Sequence, residues 1–302
     1  MRPDARVLAF AVVALIACES GDPSEVTEPQ PSFAAVPDLD GLPDLIVDQN
    51  RIASSWVVYE ETFSPTGCTA IEGGFEGGTH RTLRFSVSTP NIGNADVFIG
   101  DPNRHIDPNG DGDISDSDGL YEYAECHAHF HFRNYATYEI LPVLSNGSLG
   151  APIQARKRGF CMIDTTPWQD TEAPHAAFYR SCGRIGVPGN QGISTGWADQ
   201  YFKWLTGQFF LLTGEDEPIS PGNYVIRVTV NPPFTATLSE VCPFTDDDGF
   251  CRMFEESDYT NNVAQVAVQV PARVGRTGFG PGGGQTVQAE VIDDESRPVE
   301  KK

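Results

Sequence analysis

The chain is poor in basic residues, with 20 Lys and Arg against 42 Asp and Glu among its 302 residues, and its formal net charge is −22. A surface of this sign repels a phosphate backbone, so we expect no nucleic-acid partner. The same field would concentrate cations, whether metal ions or protonated amines. It is equally compatible with a soluble envelope protein of any function.

Long apolar runs are also scarce. The stretch from Val7 to Ala17 follows two arginines and is too short to span a bilayer, which is typical of an export signal. Its end, Leu15-Ile16-Ala17-Cys18, resembles the bacterial lipobox, in which the cysteine is lipidated. We expect a lipoprotein signal peptide over residues 1–18 and a chain exported to the bacterial cell envelope, held to the membrane only through lipid at Cys18. The alternative is an ordinary signal peptide with an incidental cysteine.

Long amphipathic helical patterns are lacking as well, whereas 30 Gly and 23 Pro separate short strand-like runs. These features predict a mainly β, sandwich-like domain with long loops and few short helices over residues 42–271. Residues 19–41 are predicted to be a disordered linker, and residues 272–302 a disordered tail. The strand-like runs are Asp44 to Val47, Ser55 to Tyr59, Leu83 to Val87, Ala128 to Ile140, Phe209 to Leu212, Tyr224 to Val230 and Val263 to Val270.

Six cysteines remain after Cys18, an even number that suits disulfides in an oxidising compartment. Cys242 and Cys251 enclose a short acidic loop, and we expect them to pair with each other. The other four are expected to cross-link the domain in a pattern that their number does not fix: Cys68, Cys126, Cys161 and Cys182.

Three of the six histidines alternate along one predicted strand, at His127, His129 and His131. Alternate strand residues point to the same face and lie ~6.6 Å apart, so a twisted strand can bring three imidazoles to one ion. Imidazole suits copper, zinc, iron or nickel, and three ligands leave positions open for water, dioxygen or substrate. The pattern predicts a metal site without choosing among these metals.

An acidic segment before this strand has the spacing of a calcium loop, with oxygen ligands at positions 1, 3 and 5, Gly at 6 and a carboxylate at 12. The spacing predicts a second calcium site there, with a solvated acidic loop as the alternative. The candidate ligands are Asp107, Asn109, Asp111, Asp113 and Asp118.

The run Cys126-His-x-His-x-His131 resembles the copper motif of the lysyl oxidase family. The resemblance covers roughly residues 42 to 270, although Tyr123-Ala124 stand where the family usually has Trp-His. The other segments that match in order are Pro43-Asp44-Leu45, Leu83-Arg84-Phe85 with Asn91 to Asp96, Lys157 to Thr165, Gly192 to Tyr201, Pro221 to Pro232 and Glu256 to Asn262.

The resemblance implies a copper-dependent amine oxidase that works through a lysine tyrosylquinone formed from Lys157 and Tyr201. Such an enzyme converts a primary amine, either a protein lysine or a small amine, to an aldehyde, and dioxygen becomes hydrogen peroxide as ammonia is released. Asp199 is the candidate base that takes the proton from the carbon next to nitrogen, or else a structural hydrogen-bond acceptor.

The resemblance also implies a structural calcium site and one retained disulfide. It pairs Cys126 with Cys182, and Cys161 then lacks its family partner, which leaves Cys68 for it. The implied calcium ligands are Asp44, the carbonyl of Leu45, Glu256, Asp258, Asn261 and Asn262.

Two other functions remain open on the sequence. One is a copper- or zinc-binding envelope lipoprotein without catalysis, and the other is a calcium-dependent adhesion module. Lys157 and Tyr201 favour the oxidase, because metal handling or adhesion has no need of that pair.

Overall fold

The computed structural model describes residues 40–157, 159–168, 176–213, 219–236, 241–275 and 277–283. The predicted signal peptide with Cys18, almost all of the predicted linker, and the tail from residue 284 lie outside the described residues. No helix in the described part of the chain is both long and apolar enough to cross a membrane.

The described residues form a mainly β fold with short helices, which confirms the predicted class. The α-helices are α1 Gln49–Ser55, α2 Cys68–Gly73 and α3 Asn103–Ile106, and a 3₁₀ turn covers Ile114–Asp116. The strands are β1 Val57–Phe63, β2 Gly78–Arg84, β3 Val87–Pro90, β4 Val97–Gly100, β5 Tyr121–Ala124, β6 His129–Phe132, β7 Ala136–Pro142, β8 Ile153–Gln154, β9 Thr166–Pro167, β10 Gln191–Ile193, β11 Trp197–Tyr201, β12 Phe209–Leu211, β13 Gly222–Val230, β14 Phe244–Thr245, β15 Cys251–Arg252 and β16 Val263–Val270.

Within the described residues these strands form six small sheets of two to four strands. The largest has the order β16-β13-β7-β8, and two three-stranded sheets have the orders β1-β2-β12 and β3-β11-β9. The remaining sheets are the pairs β4-β10, β5-β6 and β14-β15.

The four-stranded sheet follows directly from its alternating sequence. Every second residue of β16 is buried, and the register sets Ile226 of β13 opposite Val266 of β16 and Ile140 of β7. Because side chains alternate between the two faces, this register gathers the aliphatic side chains on one face and leaves the polar ones to water. The predicted strands at 224–230 and 263–270 are therefore confirmed.

Several predicted strands are shorter or interrupted. Residues 44–47 form no strand, although an isolated bridge joins Leu45 to Asn91 and Ile46 N donates to the carbonyl of Pro90 at 3.0 Å. The strand predicted from Ser55 begins at Val57, because Ser55 is the last residue of α1. Asp48 caps the start of that helix by accepting hydrogen bonds from the backbone N–H groups of Asn50 and Arg51. The runs predicted over 83–87 and 128–140 are each divided between two strands.

An aromatic core supports the strand that carries Tyr201. Phe160 makes edge-on contacts with Tyr135, Tyr138 and Tyr201, at centroid distances of 5.3, 5.5 and 5.3 Å. Such edge-to-face pairs add to the free energy gained from burial alone. Tyr201 is thus fixed inside the core, with 2% of its surface exposed.

The disulfide pattern corrects two predicted pairings. Cys68 pairs with Cys126 and Cys161 pairs with Cys182, at Cα–Cα distances of 5.5 and 5.4 Å. The implied Cys126–Cys182 and Cys68–Cys161 pairs are therefore wrong, because the fold brings α2 beside Cys126. Cys242–Cys251 forms as predicted.

The beginning of the predicted disordered tail is part of the fold. Val58 and Phe279 exchange backbone hydrogen bonds, and Lys203 Nζ donates to the carbonyl of Gly282 at 2.7 Å. At Gly280 the backbone has φ +126°, and a Cβ atom would lie 2.6 Å from the Trp56 ring, so only glycine fits. Residues 277–283 therefore strap β1, which the composition of this segment did not predict.

Candidate active site

The three predicted histidines converge. Their ligand atoms lie within 4.8 Å of one another, and in the described part of the chain no other group of three or more His, Cys, Asp or Glu side chains is so close. The prediction that all three lie on one strand is wrong. His127 lies in the turn between β5 and β6, and Ala128 in that turn has φ +55°. The turn, rather than strand twist alone, brings His127 over His129 and His131.

The surroundings of each ring orient the triad. His127 Nδ1 lies 3.2 Å from Glu72 Oε2, and His129 Nδ1 lies 3.2 Å from the carbonyl oxygen of His127. His131 Nδ1 packs against Gly159, where a Cβ atom would overlap the ring. Two of the Nδ1 atoms face an oxygen and the third faces the backbone of Gly159, so these surroundings favour Nε2 as the ligand atom of each ring.

Burial keeps His131 neutral. Its pKa is well below the ordinary value, first because the ring is desolvated and then because Lys157 and the other two histidines are close. A metal ligand must be an unprotonated imidazole, so this environment suits metal binding. Three imidazole nitrogen donors fit copper or zinc, and they leave coordination positions open.

Lys157 lies beside the triad and above Tyr201. Its Nζ is 5.2 Å from the centre of the Tyr201 ring and 5.4 Å from that of Phe160. Desolvation lowers the pKa of Lys157 to about 7, while the charges of Glu72 and Asp199 oppose that shift. A substantial fraction of this amine is therefore neutral, and nucleophilic, near pH 7.

Tyr201 ends β11, and its phenol is oriented by the neighbouring loop. The Oη atom donates a hydrogen bond to the carbonyl of Cys161 at 2.9 Å, and burial raises the pKa of the phenol well above its ordinary value. Because Cys161 is bonded to Cys182, this acceptor is itself held in place.

Asp199 lies on the same strand face as Tyr201, two residues before it, and is 1% exposed. Burial raises the pKa of its carboxyl well above the ordinary value, although a hydrogen bond with Tyr201 and the charge of Lys157 oppose the shift. Its Oδ2 atom has no hydrogen-bond partner among the described residues. A buried carboxyl with a raised pKa beside a phenol ring is suited to general acid–base chemistry.

An open cleft of about 910 Å³ reaches part of the site. His127, His131 and Lys157 line it together with the acidic side chains of Glu72, Glu122 and Glu125. Among the described residues that line it, Arg133 pairs with Glu122 at 3.5 Å and Arg156 donates to the carbonyl of Gly73 at 3.1 Å. The cleft can therefore admit a cationic amine to the Lys157 side of the triad.

The residues of the implied calcium site lie together where the two ends of the domain meet. Leu45 N and Asn262 Nδ2 donate to Glu256 at 2.5 and 2.9 Å, and Asn261 Nδ2 donates to Asp44 at 2.8 Å. The side-chain oxygens of Asn261 and Asn262 are buried without a hydrogen-bond partner among the described residues. Two such oxygens beside carboxylates fit a hard cation. Asp258 instead accepts hydrogen bonds from Thr260.

The acidic loop before the triad is folded by its own side chains. Asp107 accepts hydrogen bonds from the N–H groups of Gly110, Asp111 and Gly112, and Asn109, Asp111 and Asp113 each cap the residue two positions on. Asp118 pairs with His105 at 2.6 Å. The carboxylates of this loop do not gather as the triad does, and calcium binding there stays a prediction.

Sequence reasoning missed Glu72 and gave no role to Gly159 or Phe160. Glu72 is distant from His127 in the chain, and only the folding of α2 against the triad brings the two together. Gly159 and Phe160 stand inside the segment that resembles the cofactor lysine region, so their positions, though not their contacts, could have been noted.

Comparison with known proteins agrees with this geometry. The family model described as lysyl oxidase matches residues 47–267. The chain is 24% identical over 241 residues to protein-lysine 6-oxidase of Gallus gallus, a match that covers 76% of this chain and 46% of that protein. For protein-lysine 6-oxidase of Homo sapiens the identity is 25% over 240 residues, with coverages of 76% and 46%.

Lysyl oxidase homolog 3 of Homo sapiens is 30% identical over 186 residues, which cover 61% of this chain and 18% of that protein. The chain thus spans less than half the length of these relatives. The family match nevertheless covers most of the described fold and includes the histidine triad, Lys157 and Tyr201. On this evidence the chain belongs to the lysyl oxidase family.

Proposed function

We propose that this protein is a copper-dependent amine oxidase whose cofactor forms from Lys157 and Tyr201. The observation that carries the proposal is the position of Lys157 Nζ, 5.2 Å from the centre of the Tyr201 ring, in a cleft that His127 and His131 also line. A metal-storage or adhesion protein would have no use for a desolvated amine aimed at a buried phenol.

His127, His129 and His131 would hold the copper, since their nitrogen donors converge and suit that metal. The chemistry that copper and dioxygen would supply there is oxidation of the Tyr201 ring, and the lysine tyrosylquinone formed from Lys157 and Tyr201 would supply the carbonyl that a primary amine attacks.

The chain's own residues prepare this chemistry. Lys157 offers an amine whose pKa of about 7 leaves it partly neutral, and Phe160 stacks its edge on the Tyr201 ring and fixes the plane of that ring. Asp199 lies beside Tyr201 with a free carboxylate oxygen, and we assign it the role of the base that takes the proton from the carbon next to the substrate nitrogen.

The substrates that suit this site are primary amines. Relatives of the chain are named protein-lysine 6-oxidase, which supports a lysine side chain of a polypeptide as one substrate, and the open acidic cleft suits small cationic amines as well. The overall reaction consumes the amine, dioxygen and water, and it yields an aldehyde, ammonia and hydrogen peroxide. The expected location is the cell envelope, through the export signal and the lipid at Cys18.

The test is to load the full chain with copper in air and to treat it with phenylhydrazine, which reacts with quinones. The proposal expects a coloured adduct and a cross-linked peptide containing Lys157 and Tyr201 in the wild type, and neither in Lys157→Ala or Tyr201→Phe. Copper binding without an adduct, in protein with intact disulfides, would favour a metal-binding envelope lipoprotein without catalysis.

We also propose a structural calcium ion near Asp44 and Glu256. Burial raises the pKa of Glu256 to about 7, because desolvation outweighs its three hydrogen bonds, and a cation would stabilise the carboxylate there. Calcium is therefore expected to raise the melting temperature of the wild type more than that of Glu256→Gln. An equal effect on both proteins would count against this site.

A further inference from the structure

A carboxylate outside the triad contacts its first histidine. Glu72 Oε2 lies 3.2 Å from His127 Nδ1, and the His127 side chain is 1% exposed, whereas that of Glu72 is 27% exposed at the cleft. The contact therefore joins a sealed imidazole to a carboxylate that still reaches solvent.

The segment that carries Glu72 is fixed at both ends. Cys68, the first residue of α2, is bonded to Cys126, which immediately precedes His127. At the other end Gly74 takes the left-handed conformation and caps the helix, and Arg156 Nη1 donates to the carbonyl of Gly73 at 3.1 Å. The short helix that carries Glu72 is thus joined by a disulfide to the turn that contains His127. A hydrogen bond joins it to Arg156, the residue before Lys157.

We propose that Glu72 is a positioning residue of the copper site, which holds the proton of His127 on Nδ1 and so directs Nε2 to the metal. This inference rests on the proposed copper site. A carboxylate at this distance fixes the tautomer and the ring plane of a histidine, and it increases the electron donation of the other nitrogen to the ion. His127 needs this support more than its neighbours, since it lies in a turn and not on a strand.

The test measures copper(II) affinity of the metal-free full chain, with disulfides intact, by competition with a chelator of known affinity. Glu72→Ala is expected to weaken binding by about 10–100-fold, the usual range for loss of such a partner. Glu72→Gln keeps the shape and an acceptor oxygen but loses the charge, so a smaller loss is expected.

Glu125→Gln is the matched control, because Glu125 lines the same cleft and its side chain is exposed to water. Its water-screened charge is expected to change copper affinity by less than about twofold. The electron paramagnetic resonance spectrum of bound copper should change in the two Glu72 variants and stay the same in the control.

Two results would overturn the inference. One is a Glu72→Ala protein with the melting temperature of the wild type and unchanged copper affinity and spectrum. The other, which applies if Glu72→Ala does not fold, is a folded Glu72→Gln protein that matches the wild type in both readouts. A wild type that binds no copper would overturn the proposed function itself, and it is recognised without any variant.

Discussion

The histidine triad and the acidic loop at residues 107–118 both have the spacing of a metal site, yet the fold treats them differently. The triad is largely sealed from water, and its ligand atoms lie within 4.8 Å of one another. The loop is mostly exposed, and its carboxylates accept hydrogen bonds from their own backbone.

The difference lies in what surrounds each motif. A disulfide, the carboxylate of Glu72 and the backbone of Gly159 each fix part of the triad. The loop is joined to the rest of the fold mainly through Asp118 and its contact with His105. Ligand spacing in a sequence therefore indicates a possible site, but packing around the ligands decides whether they converge before any metal binds.

Removing a ligand from each region gives the largest contrast. His129→Ala is expected to abolish stoichiometric copper binding, because two imidazoles and open water positions cannot replace a preformed three-nitrogen site. Asp107→Ala is the control in the loop and should leave copper affinity as in the wild type. Both are read by copper content after dialysis. Equal copper content in the two variants would show that the triad and the loop do not differ in copper binding.

A methyl group added behind the triad tests its packing. In Gly159→Ala the new Cβ would overlap His131 Nδ1, so the ring must move, at a cost of about 1–3 kcal/mol in the free energy of unfolding. Copper affinity should fall with it. Gly222→Ala serves as the control, because its Cβ would meet only Tyr224 at an ordinary 3.6 Å. Urea unfolding of the two metal-free variants measures the difference, and similar values would contradict this account.

The pH dependence of cross-link formation tests whether the amine of Lys157 has a lower pKa than that of an ordinary surface lysine. Burial lowers the pKa of Lys157 to about 7, so its amine is neutral above that pH and becomes protonated below it. The initial rate of quinone formation at full copper occupancy should therefore fall by about tenfold per pH unit below the pKa. Copper content is checked at each pH, and a rate that is independent of pH while copper stays bound would contradict the assignment.

The smallest effect is expected in the acidic loop. Asp113 is exposed and only caps the backbone of Ser115, so Asp113→Ala should change the free energy of unfolding by no more than about 0.5 kcal/mol without calcium. Thermal unfolding with and without calcium measures this. A calcium-dependent stabilisation that disappears in Asp113→Ala would show that the loop binds calcium although its ligands do not converge in advance.

The parts of the fold that the sequence predicts well are those with a regular pattern. Strand β16 is a run of Val and Ala with Gln265 and Gln269 on one face, so its bounds could be predicted from the residues, and the structure shows that every second residue is buried. The interrupted runs could not, because the turn that begins near Cys126 and the cap at Asp48 depend on local backbone geometry. The strap at 277–283 packs glycines against β1, and composition alone indicated disorder there.

The candidate site likewise contains residues that the sequence predicts and residues that it does not. The three histidines stand close together in the chain and could be recognised from their spacing. Lys157 and Tyr201 needed the family resemblance, since their contact joins segments that are distant in sequence. Glu72 had neither signal, and the disulfide from Cys68 that places it differs from the implied pairing. Long-range contacts of this kind arise only from the completed fold.

The most direct measurement of the central claim is the mass of the peptide that joins Lys157 to Tyr201 after copper loading in air. We expect a covalent Lys157–Tyr201 cross-link in the wild type, together with a phenylhydrazine adduct, and no cross-link in Lys157→Ala. A fully copper-loaded wild type in which both peptides remain separate and unmodified would contradict it.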